Sequence, residues 1–114
     1  TPAYMAPEQI SGAPLDPKSD QYAIGVLAFE LFAGRLPFDD ENVTNLLFRR
    51  MYEDPPLLRT FRPEVPEAIE QVVNRMLSKN PDQRFASVLE ALAKLDPQAA
   101  EDMWKALHAT VNEA

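Results

Sequence analysis

One stretch, residues 19–34, constrains the fold more than any other part of the chain. It reads SDQYAIGVLAFELFAG, and at helical pitch its apolar side chains point in every direction. A surface helix shows a single apolar stripe, so this pattern predicts a helix buried in an interior. Ser19 is predicted to cap its amino end, with Asp20 in the first turn. Gly34 is placed to end the helix, and Pro37 prevents its resumption.

The length and composition of the chain place this helix in a globular domain. The stretch is too short to span a bilayer, and Glu30 interrupts it. The 114 residues, 46% of them hydrophobic and 25% charged, suit one domain or a piece of one. Because the chain starts at Thr1 in a loop-like sequence, we expect it to be a segment of a longer protein.

Charge and residue usage exclude several function classes. The net charge of −7 argues against binding to nucleic acid or to an anionic membrane. No cysteine is present, and His108 is the single histidine, so neither thiolate nor histidine metal sites are expected. No signal peptide is visible, and we expect a cytoplasmic location. Asp39, Asp40 and Glu41 suggest either a cation site or a helix cap, and the helix dipole favours the cap.

The other predicted elements are helices joined by proline-rich loops. A short turn is expected within 5–10, and a helix over 41–52 whose buried face holds Val43, Leu46, Leu47 and Met51. On that helix Arg49 and Arg50 are interpreted as a solvated face. The following loop carries three apolar residues that should fold back onto the core, namely Leu57, Leu58 and Phe61.

The second half of the chain continues the helical pattern. Pro66 is predicted in the first turn of an amphipathic helix with core residues Ile69, Val72, Val73, Met76 and Leu77. Ser87 and Glu90 form a capping-box pattern for a helix to about Leu95. A last helix follows Pro97, with one face formed by Ala100, Met103, Trp104, Leu107 and Val111 and with Trp104 as a core anchor. No run alternates with period two, so the predicted fold class is mainly α.

The residues by themselves offer little catalytic machinery. Glycines stand apart at positions 12, 25 and 34, so no glycine-rich phosphate loop is present. His108 lies on the terminal helix, and no serine near it has the turn that a nucleophile requires.

A resemblance begins at residues 1–8, TPAYMAPE, which are similar to the end of the activation segment of eukaryotic-type Ser/Thr protein kinases. Further blocks keep that family's order and spacing to about residue 95: SDQYAIGV at 19–26, EL at 30–31, GRLPF at 34–38 and NPDQRF at 80–85. The bacterial-type kinases are the most similar. The resemblance implies a helical C-lobe subdomain without the N-lobe sheet. Residues 1–95 would be a partial kinase domain, and 96–114 a C-terminal helix or linker.

The same resemblance implies roles for six residues. Thr1, Pro2 and Met5 would lie at the activation-segment end and the substrate pocket. Glu8 would pair with Arg84, through a guanidinium that can bind a carboxylate bidentately; the alternative is two unrelated surface charges. Asp20 would anchor the catalytic loop, or would simply be a first-turn carboxylate.

The groups that bind ATP and Mg²⁺ in this family lie upstream of the matching part and are not in this chain. The resemblance therefore implies a parent kinase that uses ATP and Mg²⁺, while this chain alone binds neither. Its partners would be the protein substrate and the remainder of the kinase domain. A non-catalytic, pseudokinase-like interaction module and an unrelated helical bundle are the alternatives. Because the family's helix E and catalytic loop are absent, we expect an open strip on the apolar helix, with Tyr22, Val26, Phe29 and Ala33 in it, and marginal solubility.

Overall fold

The computed structural model describes residues 4–14 and 16–113, with side chains as far as Ala106 and that of His108. Within this range the chain is helical and contains no strand, so the predicted mainly α class is confirmed. The helices are α1 (Pro7–Ile10), α2 (Pro17–Ala33), α3 (Val43–Tyr52), α4 (Glu67–Met76), α5 (Val88–Ala93) and α6 (Pro97–Glu113), with 3₁₀ turns at Leu58–Thr60 and Pro81–Gln83. None of the described helices combines the length and the hydrophobicity that a membrane span requires.

The ends of α2 differ in how well the sequence predicted them. Asp16, and not Ser19, is the N-cap: its side chain accepts a hydrogen bond from the Lys18 amide at 2.8 Å. Pro17 then takes the first helical position, where its fixed φ suits the helix and its missing N–H is not needed. At the other end the prediction is confirmed, because Gly34 adopts a left-handed φ of 78°.

The predicted open strip on α2 is wrong. Tyr22 and Val26 are fully buried, and Phe29 and Ala33 are 1% and 3% exposed. The helices α4 and α6 and the turn Leu58–Thr60 pack against α2, and their apolar side chains join it in one buried cluster. The later part of the chain therefore covers this face of α2 by itself.

A different face of α2 is the less covered one. Asp20 is exposed there, and a row of partly buried residues follows it at a spacing of three or four: Ala23, Ile24, Leu27 and Leu31. Residues at this spacing share one side of a helix. We call this side the Asp20 face; it is incompletely shielded by the described chain.

The helix α4 matches its prediction closely. All five expected core residues, Ile69, Val72, Val73, Met76 and Leu77, are buried. Gly25 of α2 allows the close approach of α4, since a Cβ at this position would lie 3.0 Å from the Met76 Cβ. Pro66 precedes the first helical residue and occupies the N-cap position, so its predicted place inside the first turn is wrong by one residue.

The amino end and the buried face of α3 correct the sequence interpretation. Asn42 caps the helix by accepting from the Asn45 amide, whereas Asp40 accepts from the Asn42 amide. Leu46 is buried as predicted, but Val43 is 54% exposed. Arg50 is fully buried, so its assignment to a solvated face is wrong. It lies one turn after Leu46, on the side of the helix that meets the protein interior.

The segments after α3 and α5 contain two further corrections. Leu58 is buried and Phe61 packs against the core, but Leu57 is 50% exposed.

The Ser87 hydroxyl accepts from the Glu90 amide at 3.1 Å, as the cap prediction required, although α5 ends at Ala93. In α6 Ala99 and Met103 are buried in the core, and Ala100 packs against it; for Ala100 and Met103 this confirms the prediction. Trp104 is 59% exposed and stacks on His108, so it is not a core anchor; the side chains of Leu107 and Val111 lie outside the described residues.

A buried amide connects α2 to the loop before α5. The Gln21 side chain donates to the Phe85 carbonyl at 2.8 Å and accepts from the Phe85 amide at 3.0 Å. Gln21 is fully buried and Phe85 is 2% exposed, so water cannot replace these bonds.

We expect Gln21→Leu to lower the free energy of unfolding by about 1–3 kcal/mol for each backbone group of Phe85 left unsatisfied. Urea unfolding followed by circular dichroism measures the change. Gln71→Leu is the matched control, because Gln71 is exposed on α4, and its effect should stay within about 0.5 kcal/mol. Equal effects of the two variants would contradict this account of Gln21.

Candidate functional site

Residues 4–8 form the candidate site, because side chains from α2, α3 and the loop before α5 hold this short segment in place. Ala6 is extended and precedes α1, to which Pro7 and Glu8 already belong. Four side chains from outside the segment form hydrogen bonds with it, namely those of Arg84, Ser19, Arg50 and Glu30.

Arg84 binds Glu8 through two parallel hydrogen bonds. Its Nη1 lies 2.7 Å from Glu8 Oε2 and its Nη2 lies 2.9 Å from Oε1. The Arg84 side chain has no exposed surface, and that of Glu8 is 18% exposed. Such a bidentate pair in a buried position combines geometric specificity with weak solvent screening. The structure thus brings together these two residues, which lie 76 positions apart in the sequence.

The remaining polar atoms around this ion pair are also used. Arg84 donates from Nε to the Ser78 carbonyl and from Nη1 to the Lys18 carbonyl, both at 2.8 Å. The Ser19 hydroxyl donates to Glu8 Oε2 at 2.7 Å. Ser19, predicted as a helix cap, therefore serves the carboxylate instead. Burial opposes ionisation of Glu8, but the hydrogen bonds from Arg84 and Ser19 outweigh it and hold the pKa of this carboxyl below its ordinary value.

Arg50 holds the same segment from α3. Its Nη1 donates to the Met5 carbonyl at 3.1 Å, and its guanidinium lies 5.9 Å from the centre of the Tyr22 ring and 5.8 Å from that of Phe38. Burial lowers the pKa of Arg50. Sequence reasoning missed this residue, although its position one turn after the buried Leu46 was a usable signal.

A third contact joins the segment to α2. The Tyr4 hydroxyl donates to Glu30 at 2.7 Å, and this hydrogen bond, together with burial, raises the pKa of Tyr4. Sequence reasoning did not pair these residues. The signal was Glu30 itself, the single charged residue within the apolar stretch 22–33 of α2.

Of the other predicted site residues, Met5 and Asp20 can be located. Both line a small cavity of about 180 Å³ together with Tyr4, Gln9, Ser19 and Ala23. The Asp20 carboxylate is exposed and forms no hydrogen bond with the described side chains and backbone. Thr1 and Pro2 lie outside the described residues. Within the described chain no three acidic or histidine side chains lie close enough together to hold a metal ion.

Comparison with known proteins identifies the class to which this fold and site belong. The protein kinase domain model matches residues 1–95, and the chain therefore belongs to the protein kinase family. Its described part is a helical portion of the kinase C-lobe.

Three of the similar proteins are bacterial Ser/Thr kinases. The chain is 44% identical over 88 residues to the serine/threonine-protein kinase Pkn1 of Myxococcus xanthus, covering 77% of this chain and 13% of that protein. It is 39% identical over 104 residues to the DNA damage-responsive serine/threonine-protein kinase RqkA of Deinococcus radiodurans, covering 91% and 15%. For PrkC of Bacillus subtilis the identity is 29% over 110 residues, covering 96% and 17%. The chain thus spans less than a fifth of the length of these relatives.

We expect Arg84→Ala to lower the free energy of unfolding by about 3–5 kcal/mol, because it leaves a largely buried carboxylate uncompensated. Arg49→Ala is the matched control. Arg49 also pairs with a carboxylate, Glu53 at 2.6 Å, but both side chains are exposed. The control should lose only about 0–1 kcal/mol in the same urea titration. A loss below about 1 kcal/mol for Arg84→Ala would mean that the ion pair contributes no more than an exposed one.

The lowered pKa of Glu8 predicts a pH dependence. Since the folded chain binds the Glu8 proton more weakly than the unfolded chain, the carboxylate adds stability above the ordinary glutamate pKa of about 4.3. This contribution is lost as the pH falls through the lower pKa of the folded state. The difference in the free energy of unfolding between the unsubstituted 114-residue chain and its Glu8→Gln variant should therefore be smaller at pH 3 than at pH 7. A difference that stays constant over this range would contradict the role given to Glu8.

Proposed function

We propose that this chain is the substrate-side part of a protein Ser/Thr kinase, and that the longer protein containing it transfers the γ-phosphoryl group of ATP to serine or threonine of protein substrates. The observation that best supports the proposal is the bidentate Glu8–Arg84 pair, which ties residues 4–8 to the loop before α5. Phosphoryl transfer depends mainly on positioning and on charge stabilisation. A substrate-binding segment that is fixed from three sides meets the first requirement.

The proposed roles of the individual residues follow from the resemblance to the kinase family, and the contacts of Met5, Glu8 and Arg84 support the roles of these three. Met5 would form a wall of the pocket for the substrate residue after the phosphoacceptor, and the Arg50 hydrogen bond to its carbonyl supports this role. Thr1 would contact the catalytic groups, and Pro2 would line the same pocket. Glu8 and Arg84 would keep the end of the activation segment in place.

Asp20 would accept backbone N–H groups from the catalytic loop. Its carboxylate is exposed, it borders the cavity beside Met5, and the apolar residues beyond it are only partly covered. A surface with a free carboxylate and an incompletely shielded apolar row suits the docking of the remainder of the kinase domain. That remainder would supply the groups that bind ATP and Mg²⁺, and a cytoplasmic location is part of the proposal.

A phosphoryl-transfer assay with radiolabelled ATP on the complete protein tests this function. We expect Asp20→Asn to reduce kcat by tenfold or more while changing the stability of the 114-residue chain by less than about 0.5 kcal/mol, because Asp20 is exposed. Asp39→Asn, at another exposed aspartate, should leave kcat unchanged.

The 114-residue chain by itself should show no binding of Mg·ATP by calorimetry. Saturable binding by this chain, or equal activity of the two aspartate variants, would overturn the proposal.

One observation favours the alternative of a non-catalytic interaction module. Phe48 and Tyr52 on α3 are 61% and 67% exposed, and their ring centres lie 4.8 Å apart. Together the two rings form an exposed apolar surface of the kind that marks a protein interface. A complete protein that binds no ATP but loses a protein partner on Phe48→Asp would support this alternative.

A further inference from the structure

A cavity of about 280 Å³ lies between α4, the loop before α5 and the carboxyl end of α5. Its volume equals that of about nine water molecules, at about 30 Å³ each. Two cationic side chains, one amide and three apolar side chains line it: Arg75, Lys94, Gln71, Ala68, Val72 and Phe85. Although the chain has a net charge of −7, these lining residues carry two positive charges and no carboxylate. The cavity therefore has the charge that attracts an anion.

The Arg75 guanidinium is held in place at this cavity by two contacts. Its Nε donates to the Gln83 carbonyl at 3.1 Å, and its central carbon lies over the Phe85 ring, 4.1 Å from the ring centre. Within the described chain, Nη1 and Nη2 have no hydrogen-bond or ion-pair partner. Arg75 thus keeps the pair of donors that binds two oxygens of a phosphate or a carboxylate.

Lys94 supplies the second positive charge from the residue that follows α5. Its side chain is exposed, and its ammonium group forms no hydrogen bond or ion pair with the described residues. Gln71, one turn before Arg75, donates one amide hydrogen to Glu67, with 3.3 Å between Nε2 and Oε1, and keeps the other. Two cations that border one cavity repel each other, and an anion in the cavity would offset this repulsion.

The rest of the cavity wall is apolar. Val72 and Phe85 are 4% and 2% exposed and belong to the core, and Ala68 packs against it. Charges beside such a wall are screened less than charges on an open surface. The wall also offers contacts to carbon atoms attached to the anion. Inorganic phosphate would use the cations alone, whereas a phosphate ester would use both parts of the cavity.

We propose that this cavity binds a phosphate monoester carried on an apolar stem. At pH 7 such a group has a charge of about −1.5 to −2 and three acceptor oxygens. Two oxygens match the Nη1 and Nη2 donors of Arg75, and the third is left for Lys94. A carboxylate has two oxygens and a single charge, so it would satisfy the two cations less completely. This inference does not depend on the proposed kinase function.

The experiment titrates phenyl phosphate into the folded 114-residue chain. Two-dimensional nitrogen–proton NMR follows the Arg75 Nε–H and the backbone amides of Phe85 and Lys94. We expect these signals to shift saturably, and we expect phenyl phosphate to bind about tenfold more tightly than benzoate or inorganic phosphate. Benzyl alcohol, which has the ring but not the charge, should leave the signals in place.

A short peptide with phosphothreonine between two alanines distinguishes two sources of the same chemistry. Tighter binding of this peptide than of phenyl phosphate would assign the ligand to a phosphorylated protein side chain. Weaker binding of the peptide would assign it to a free phosphorylated small molecule.

Three variants connect the binding to the cavity. Arg75→Lys keeps the charge but removes the paired donors, and it should weaken binding of phenyl phosphate by about tenfold, as should Lys94→Gln. Lys105→Gln is the matched control, because it removes one charge from an exposed lysine outside the cavity lining, and it should leave the affinity unchanged. Arg75 and Lys94 are exposed, so these variants should keep the fold, which circular dichroism checks.

Three results would overturn the proposal. The first is the absence of shifts at Arg75, Phe85 and Lys94 with millimolar phenyl phosphate. The second is equal affinity for phenyl phosphate and benzoate. The third is an equal loss of affinity in Lys94→Gln and Lys105→Gln, because it would show a general effect of net charge and no site.

Discussion

The stability of this chain depends first on keeping the circumference of α2 out of water. Each Å² of apolar surface removed from water contributes about 25 cal/mol, and a helix that is apolar all round can realise this only when other elements surround it. The helices α4 and α6 and the turn Leu58–Thr60 do so on one side. Gly25 brings α4 to within contact of the α2 backbone, which increases the area that the two helices share.

The buried polar side chains attach irregular segments to this core. Ser19, Gln21, Arg50 and Arg84 are the buried polar residues of the described chain. Each of them binds either a loop backbone or the Glu8 carboxylate. Segments without secondary structure cannot satisfy their own backbone groups, so buried side chains with several donors or acceptors take this role. The same buried side chains therefore hold both the candidate site and the loops around it.

These attachments concentrate positive charge near two aromatic rings. Arg84 lies 5.0 Å from the centre of the Tyr22 ring, and Arg50 and Lys79 lie beside Phe38. The faces of the two rings stabilise these cations. Glu8 is the carboxylate that forms a direct ion pair in this region, with Arg84. Tyr22 itself stays neutral, since burial raises its pKa to about 12. Lys79 lies at the edge of this region, and burial together with the repulsion from Arg50 lowers its pKa to about 8.

The sequence by itself determined those features that follow from local patterns. The spacing of Ile69, Val72, Val73, Met76 and Leu77 can bury one face only, so α4 and its core were predictable. Gly34 ended α2 because glycine adopts positive φ without strain. The pairing of Glu8 with Arg84 was implied by two family motifs and by no local signal, because the residues are 76 positions apart.

Only the tertiary structure decided which side of α2 stays less covered, since a helix that is apolar all round has no periodicity that distinguishes its faces. It also separated Arg49 from Arg50. These neighbours are chemically identical, but they point about 100° apart on the helix, one toward solvent and one into the core. The exposure of Trp104 was decided in the same way, because Ala99 and Met103 turn the other side of α6 toward α2 and α4.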